Sequence, residues 1–314
     1  MGQIEINHTG SGGGVVLSSD GTDLLLGGSA IGGGGADLYA ANESSPTAQP
    51  SATGSNAIAI GDSAVASGTD SLAGPKSRAS GSQSFAAAIA DNSSTYGAKN
   101  TNTVALGYRA KASQTSSIAI GYMTNATGTN SHVFGQYNNA TSNYSMCLGT
   151  ECNATNLFST AMGVQSLSAI KGKLAYAAGE FALIGDAQGG TFILRSDTID
   201  ATAEALTTTN SAPAADNQIV AATDTCIMFS GTIVAMQNGA ADQGGWEIKG
   251  LLKNDGGTTT LVNSEVRTLA DGNGWSIVLS ADNTNNALKV QCTGEAAHNI
   301  RWVANIQTSE VTYA

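Results

Sequence analysis

A glycine that recurs every fourteen residues constrains the fold of this chain more than any other feature. It stands at five positions, each preceded by two apolar or small residues: Gly107, Gly121, Gly135, Gly149 and Gly163. A small residue follows each glycine five places later, and a serine follows the first four glycines ten places later. A fixed short period is typical of a solenoid, in which each repeat is one layer that buries its apolar face against the next.

The composition suits a layered β structure. Of 314 residues, 39 are glycine and 12% are charged, whereas 41% are hydrophobic. Globular proteins carry about 25% charged residues, so the surface is predicted to be polar but largely neutral. Disordered chains combine low hydrophobicity with high net charge, and the hydrophobic content argues against disorder. The chain is therefore predicted to be folded and all-β.

Each fourteen-residue repeat can hold two strands of about five residues and two tight corners. The glycine takes a corner where a side chain would clash or where φ is positive. The small residue after it fills a narrow interior, while the larger side chains of triplets such as 118–120 alternate outward. One such coil buries little surface, so three coils side by side are predicted to bury the outward apolar set. The chain is therefore expected to form a homotrimer.

Four segments are predicted along the chain. They are an N-terminal β attachment segment over 1–40, a linker over 41–54, a β-roll shaft over 55–190 and a C-terminal β-sandwich tip over 191–314. The shaft opens with the motif that ends at Gly61 and slips in phase by about five residues around 91–94. It is predicted to contain about eight turns, a rod about 40 Å long at roughly 4.8 Å per layer.

The C-terminal segment loses the fourteen-residue period and shows longer alternating strands separated by turn residues. Seven such strands predict an antiparallel sandwich. They are predicted over 218–222, 226–237, 245–254, 258–269, 275–281, 287–293 and 300–312. Trp246, Trp275 and Trp302 share faces with aliphatic residues of these strands and are predicted to pack in its core.

The motif Ser117-Ile118-Ala119-Ile120-Gly121 and its companions resemble the head repeat of trimeric autotransporter adhesins, the YadA-like β-roll. This resemblance implies a left-handed parallel β-roll that assembles as a trimer. Residues 172–182 and 185–195 look like the roll-to-tip junction of phage tail-fibre-like proteins, and residues 6–10 and 17–21 look like their attachment segment. The phage resemblance spans nearly the whole chain and is preferred over the adhesin.

Charge and leader segments narrow the function further. The formal net charge is −11 and basic residues do not cluster, so a nucleic-acid partner is not expected. The chain opens without the basic and apolar regions of a secretory signal, which favours assembly in the host cytoplasm and a place in the virion. The favoured function is a phage tail fibre that docks on other virion proteins through its N-terminal segment and adsorbs to a host glycan or protein through its tip. A capsid fibre or decoration protein is the alternative, and a polysaccharide depolymerase is a weaker one.

Polar loop tips of the sandwich are the predicted receptor-binding positions, because binding residues often lie on loops held by a rigid scaffold. The candidates are Asp242, Gln243, Asp271, Asn273, Asp282 and Asn285. No catalytic constellation is recognisable, so the chain is predicted not to be an enzyme, and no cofactor or metal is expected. The four cysteines are predicted to be packing residues. Asn125, Asn139 and Asn153, each in Asn-Ala-Thr, are predicted to be corner residues that stack as ladders rather than glycosylation sites.

Overall fold

A computed structural model describes residues 48–239, 242–271 and 274–313, and the backbone of four short strands before them. Those strands belong to a separate unit, residues 1–47. They pair in sequence order as an antiparallel meander: β1 (Ile4–Ile6), β2 (Val15–Ser19), β3 (Leu24–Leu26) and β4 (Ser29–Ile31). Residues 41–47 of the predicted linker lie outside the described residues. The limits of the four predicted segments stay a prediction.

The second unit begins with a parallel β-solenoid of nine coils, each contributing one strand to each of two sheets. The first sheet contains β6 (Ile58–Ala59), β8 (Leu72–Ala73), β10 (Phe85–Ala87), β12 (Val104–Leu106), β14 (Ile118–Tyr122), β16 (His132–Gln136), β18 (Met146–Thr150), β20 (Thr160–Val164) and β22 (Leu174–Ala178). The second sheet contains β5 (Ser51–Ala52), β7 (Val65–Ala66), β9 (Arg78–Ala79), β11 (Gly97–Ala98), β13 (Lys111–Ala112), β15 (Asn125–Ala126), β17 (Asn139–Ala140), β19 (Asn153–Ala154) and β21 (Leu167–Ser168). The predicted solenoid is confirmed, with one coil more than the eight expected.

The strand register follows the sequence period. In the first sheet Ile118 pairs with His132 and Gly121 with Gly135, so neighbouring coils are offset by fourteen residues. Between β10 and β11 the connection is longer than in the regular coils, at the position of the predicted slip. This loop is anchored by Asn92, whose Nδ2 donates to the carbonyl oxygen of Ser63 at 2.8 Å.

The solenoid interior is filled almost entirely by alanine. In both sheets, in every coil after the first, the inward residue is an alanine, valine, cysteine or serine with 0% exposure, which keeps the two sheets close together. Buried serines line a further column, and Ser131 Oγ donates to the carbonyl oxygen of Gly128 at 2.6 Å. Asn138 takes an interior polar position: its Nδ2 donates to the carbonyl oxygens of Phe134 and Gly149, and its Oδ1 accepts from the N–H of Cys152. The interior is therefore filled mainly by small side chains.

The repeating glycine is required by close contact between coils. Gly149 has φ of 136°, and a Cβ atom there would meet the carbonyl oxygen of Gly163 in the next coil. The coil-to-coil hydrogen-bond spacing fixes that approach, so the neighbouring backbone cannot retreat without breaking the ladder. Gly149 itself lies within β18 rather than at the predicted corner, so it is this clash that excludes a side chain there.

The corners between strands are formed by left-handed residues that are not glycine. Two residues per regular coil have φ between 49° and 59°, among them the bulky Tyr137, Tyr144 and Phe158. Their N–H groups reach back one coil: Tyr137 donates to the carbonyl oxygen of Tyr122 at 2.9 Å. The predicted corner asparagines lie elsewhere. Each asparagine instead begins a strand of the second sheet: Asn125, Asn139 and Asn153. The left-handed corner residue lies two positions before each of them.

The predicted stacking of these asparagines does occur. Asn125 Nδ2 donates to Asn139 Oδ1 at 2.8 Å, and Asn139 Nδ2 donates to Asn153 Oδ1 at 3.0 Å. In these three coils, each asparagine amide thus hydrogen-bonds to the asparagine of the next coil along the outside of the second sheet.

The C-terminal tip continues the first sheet of the solenoid. Strand β22 pairs antiparallel with β23, after which the sheet runs through four more long antiparallel strands. In chain order the strands of this part are β23 (Ala187–Thr198), β26 (Thr225–Gln237), β27 (Gln243–Asp255), β28 (Thr258–Ala270) and β31 (Ile300–Thr312). A smaller antiparallel sheet contains β24 (Glu204–Ala205), β25 (Ile219–Val220), β29 (Ser276–Asp282) and β30 (Ala287–Thr293). All-β architecture is confirmed, since the described residues contain no helix.

One hydrophobic core joins the two sheets of the tip. Trp302 lies at its centre, with ring centroids 5.4 Å from Trp246 and 5.6 Å from Trp275. All three indoles are at most 3% exposed, so the prediction that they pack in the core is confirmed. The four cysteines are free thiols, and burial raises the pKa of Cys147 and of Cys292 to about 12. At that pKa these thiols stay protonated at neutral pH, as expected of packing residues.

A buried ion pair joins the last coil of the solenoid to the last strand of the tip. Lys173 Nζ lies 2.6 Å from Glu310 Oε2, and the two side chains are 5% and 9% exposed. Glu310 also accepts hydrogen bonds from Gln188 Nε2 at 2.9 Å and from Thr308 Oγ1 at 2.6 Å. Nearby, the carboxylate of Asp186 accepts three backbone N–H groups from residues 181–183. These contacts fix the turn from solenoid to tip.

Candidate functional site

The long strands of the tip place its connections at two opposite ends. Register pairs Gln237 with Ile300 and Gly245 with Ala270, so the connections that adjoin these residues share one end, which we call the Asp242 end. Asp255 pairs with Thr258 and Asp282 with Ala287, which defines the other, Asp282 end.

The predicted receptor-binding residues divide between these two ends. Asp242, Gln243 and Asp271 lie at the Asp242 end, and Asn273 lies outside the described residues. Asp282 and Asn285 lie at the other end. The structure therefore does not bring the six candidates into one site, and their role in binding stays a prediction.

Asp282 and Asn285 bind each other within a turn. The Asp282 carboxylate accepts the backbone N–H groups of Thr284 at 3.0 Å and Asn285 at 3.2 Å, and the Asn285 side-chain amide at 2.8 Å. Burial acts to raise the pKa of Asp282, but the hydrogen bonds from Asn285 and Thr284 outweigh it and the pKa is lowered. These two side chains already have partners that account for their polarity, because an aspartate that accepts the following N–H groups is a common turn motif.

Two open clefts meet at Asp197, near the Asp242 end. The first has a volume of about 570 Å³ and is lined by Asp197, Thr198, Ile199, Met236, Gln237, Asn238, Gly239, Asn299, Ile300 and Arg301. The second has a volume of about 490 Å³ and is lined by Ser196, Asp197, Ala203, Glu204, Ala205, Asn210, Ser211, Ala212, Pro213, Lys289 and Gln291. We call the two together the Asp197 groove. Asp197 contributes to both because it lies near the end of β23, beyond the part of that strand paired with β22.

The charged groups of the Asp197 groove differ in how they are satisfied. Asp197 Oδ1 accepts a hydrogen bond from Asn210 Nδ2 at 2.7 Å, and Glu204 Oε2 accepts one from Ser196 Oγ at 2.8 Å. The guanidinium of Arg301 and the ammonium of Lys289 make no hydrogen bond or ion pair with any side chain that the structure describes. The groove thus combines satisfied carboxylates with cations open to a ligand.

Sequence reasoning missed this groove for a physical reason. Its lining residues come from β23, β24, β26, β30 and β31 and from four connections, which are distant in the sequence and joined by sheet pairing. The predicted binding residues are at loop tips, whereas Asp197 and Arg301 lie near strand ends. They are directly opposite each other in the pairing of the adjacent strands β23 and β31. The sequence feature that could have indicated the groove is a charged residue at an outward position of a strand that is otherwise rich in neutral residues.

The outer face of the first solenoid sheet is a second feature with functional meaning. Most of its outward side chains are large and apolar, with His132 and Thr160 among the exceptions, and several are substantially exposed: Ile58 55%, Phe85 37%, Met146 39%, Leu148 45%, Leu174 40% and Tyr176 60%. We call this surface the apolar shaft face. The corresponding positions of the second sheet include Lys111 and the asparagine ladder. One flank of the shaft is therefore apolar and the other polar.

Neither metal chemistry nor a membrane span is indicated within the described ranges. In residues 48–239, 242–271 and 274–313, no three His, Cys, Asp or Glu side chains group in a way that could hold a metal ion. Within the same part of the chain there is no helix of the length and apolarity that a bilayer crossing needs.

Comparison with known proteins finds the two resemblances indicated by the sequence. The YadA head domain repeat matches two segments, residues 52–73 and 98–124, so the repeats of the solenoid are YadA-like. A solved structure that matches is the tailspike protein gp49 from Acinetobacter baumannii bacteriophage Fri1, a capsular polysaccharide depolymerase. That match has 8% identity and a TM-score of 0.24 over 77% of this chain, which spans 42% of the tailspike. No curated protein matches the chain.

The family model agrees with the YadA-like repeats predicted from the sequence, and a phage tailspike is among the structures to which the chain is similar. They also correct one expectation. The prediction that the chain is not an enzyme is contradicted by the tailspike match, because the matched protein is a depolymerase. The prediction is therefore withdrawn. A match with a TM-score of 0.24 does not assign depolymerase activity to this chain.

Proposed function

We propose that this chain is the subunit of a homotrimeric phage tail fibre or spike that adsorbs to a host surface through its C-terminal tip. The observation that carries the proposal is the apolar shaft face. At about 4.8 Å per layer, nine coils form a strip roughly 40 Å long and two side chains wide. Monomeric proteins rarely expose an apolar strip of several hundred Å², and larger ones mark interfaces.

A trimer accounts for the distribution of side-chain size in the shaft. Alanine fills each coil, so the solenoid interior buries little apolar area per residue, while the larger apolar groups face outward. Packing three shafts by these faces would give the assembly the core that one shaft lacks. The YadA-like repeats support this arrangement, since the adhesin heads that carry them are trimeric.

The proposed roles of the other parts follow from their place along the chain. The N-terminal unit is separate from the shaft and would attach the fibre to other virion proteins. The tip presents polar loops and the Asp197 groove on a rigid core and would contact the host glycan or protein. Three tips per fibre turn weak contacts into firm attachment through effective concentration.

Light scattering coupled to size exclusion tests the assembly. The wild-type chain should elute with a mass of about 95 kDa, three times 31.5 kDa. Leu148→Lys, on the apolar shaft face, should give monomers, whereas Asn125→Lys, on the polar flank, should leave the trimer intact. A monomeric wild type, or trimers that tolerate both substitutions, would contradict the proposed interface.

Binding of the labelled full chain to a panel of bacterial strains tests adsorption. Saturable binding to some strains and not others is the expected result. A trimer that binds no strain would instead favour the capsid fibre or decoration protein. Release of reducing sugar ends from the bound cells would add depolymerase activity to adsorption.

A further inference from the structure

We propose that the Asp197 groove binds an anionic saccharide, with Arg301 and Lys289 as the residues that contact its acidic groups. This inference rests on the proposed adsorption role and names the chemical class of receptor that the tip recognises. It concerns a surface different from the predicted loop-tip residues.

The first support is the size and position of the groove. Its two clefts, of about 570 and 490 Å³, adjoin at Asp197 and are open to solvent. Each is large enough for one or two sugar rings, because ligand sites of 300–1,000 Å³ hold molecules of drug size. A ligand that fills both clefts must extend across the end of β23, which suits a linear chain of sugars better than a compact molecule.

The second support is the lining. Ile199 and Met236 are 66% and 53% exposed, so they offer apolar contact to the C–H face of a sugar ring. The amides of Asn238 and Asn299 line the same cleft and that of Gln291 lines the second cleft, and all three can donate to and accept from hydroxyl groups.

The third support is charge, and it selects the anionic class. Asp197 and Glu204 already accept hydrogen bonds from Asn210 and Ser196, whereas Arg301 and Lys289 have no partner among the described side chains. The whole chain has a formal net charge of −11, so an anionic polymer is repelled from most of its surface. The groove combines these two cations with the two carboxylates and has a formal charge of zero, so it repels an acidic sugar less than the rest of the chain does. Arg301, in the first cleft, can hold a carboxylate through two parallel N–H donors.

An array of bacterial polysaccharides tests the inference, with every acidic polysaccharide printed in native and carboxyl-reduced form. The full-length wild-type trimer should bind native acidic glycans and lose at least tenfold in affinity for their reduced forms. Arg301→Ala and Lys289→Ala should each weaken binding to the native form about tenfold, as expected from losing one charge-assisted hydrogen bond. Lys249→Ala is the matched control: it removes one positive charge from an exposed position of the same tip and should change binding less than twofold.

The outcomes separate this inference from the proposed function. If the wild type binds cells, but binds native and reduced glycans equally or binds no glycan, the anionic class is wrong and adsorption stands. If Arg301→Ala and Lys289→Ala bind like the wild type, the groove is not the site. If the wild type binds neither cells nor glycans, the adsorption role itself fails. Thermal unfolding of each variant, unchanged from the wild type, shows that a loss of binding is not a loss of folding.

Discussion

Replacing Lys173 by methionine should destabilise the chain more than any exposed charge substitution. Methionine has a similar length and leaves the apolar stem in place, so the change removes mainly the ammonium group. Glu310 then remains 9% exposed, with Gln188 and Thr308 as its hydrogen-bond donors and no cation at 2.6 Å. Breaking a buried ion pair in this way costs about 3–5 kcal/mol, because one charge stays buried without its partner.

The same reasoning predicts what a second substitution does. In Lys173→Met with Glu310→Leu, neither charge is buried, and replacing a whole buried pair by apolar groups is often neutral or stabilising. The double variant should therefore recover most of the stability that the single variant loses. Lys249→Met is the control, because its partner Glu265 and Lys249 itself are 57% and 59% exposed, and such pairs contribute under about 1 kcal/mol.

Thermal unfolding followed by circular dichroism measures the effect. A unit of this size loses roughly 2 °C of Tm per kcal/mol, so Lys173→Met should unfold roughly 6–10 °C below the wild type. A fall of less than 2 °C would show that the pair is not a desolvated contact between shaft and tip. A double variant as unstable as the single one would show that packing around Lys173, rather than its charge, determines the loss.

Three further predictions concern the shaft and its junction with the tip. Gly149→Val should lower Tm strongly, because φ of 136° and the carbonyl oxygen of the next coil exclude a side chain. Gly245→Ala is the control and should be tolerated, because nothing lies within 4 Å of its Cβ position. Equal effects of the two substitutions in calorimetry would contradict the close contact between coils at Gly149. Asn138→Ala should cost about 1–3 kcal/mol in urea unfolding by leaving interior backbone groups unpaired, and an unchanged midpoint would refute it. The hydrogen bond from Leu183, followed by those from Ala182 and Phe181, lowers the pKa of Asp186 despite burial. Its contribution to stability is therefore complete above the ordinary carboxyl pKa of about 4 and is lost as pH falls below it, so Asp186→Asn should flatten the acid limb of a Tm-against-pH profile.

The solenoid was predictable because its physical constraints repeat in the sequence. Each coil needs a residue without a side chain where backbones touch and an alanine where the two sheets meet, so both requirements return every fourteen residues. Seven tip strands were predicted within about two residues of their observed limits because their alternation records one buried face, but the long β23 was not among them. The short β24 was missed, since two residues carry no periodicity.

The corners and the groove could not be predicted, because they depend on contacts between distant residues. Tyr144 and Phe158 are poor candidates for left-handed backbone by residue type, yet their N–H groups bond to the preceding coil and hold them there. The asparagines looked better suited to those corners and instead form a ladder within strands. Likewise, Asp197 and Arg301 become neighbours only when β23 pairs with β31.

The continuity of the sheet from shaft to tip also predicts how the fibre should respond to receptor density. Because β22 pairs directly with β23, the tip is held to the shaft by backbone hydrogen bonds and by the Lys173–Glu310 pair rather than by a flexible linker. In a trimer the three grooves would then lie at fixed separations. Rigidly spaced sites gain avidity only where the receptor spacing allows simultaneous contact. The advantage of the wild type over the monomeric Leu148→Lys variant should therefore rise sharply above a threshold density of immobilised glycan. Surface plasmon resonance over a density series measures this, and a constant ratio between the two proteins would show that the tips act independently.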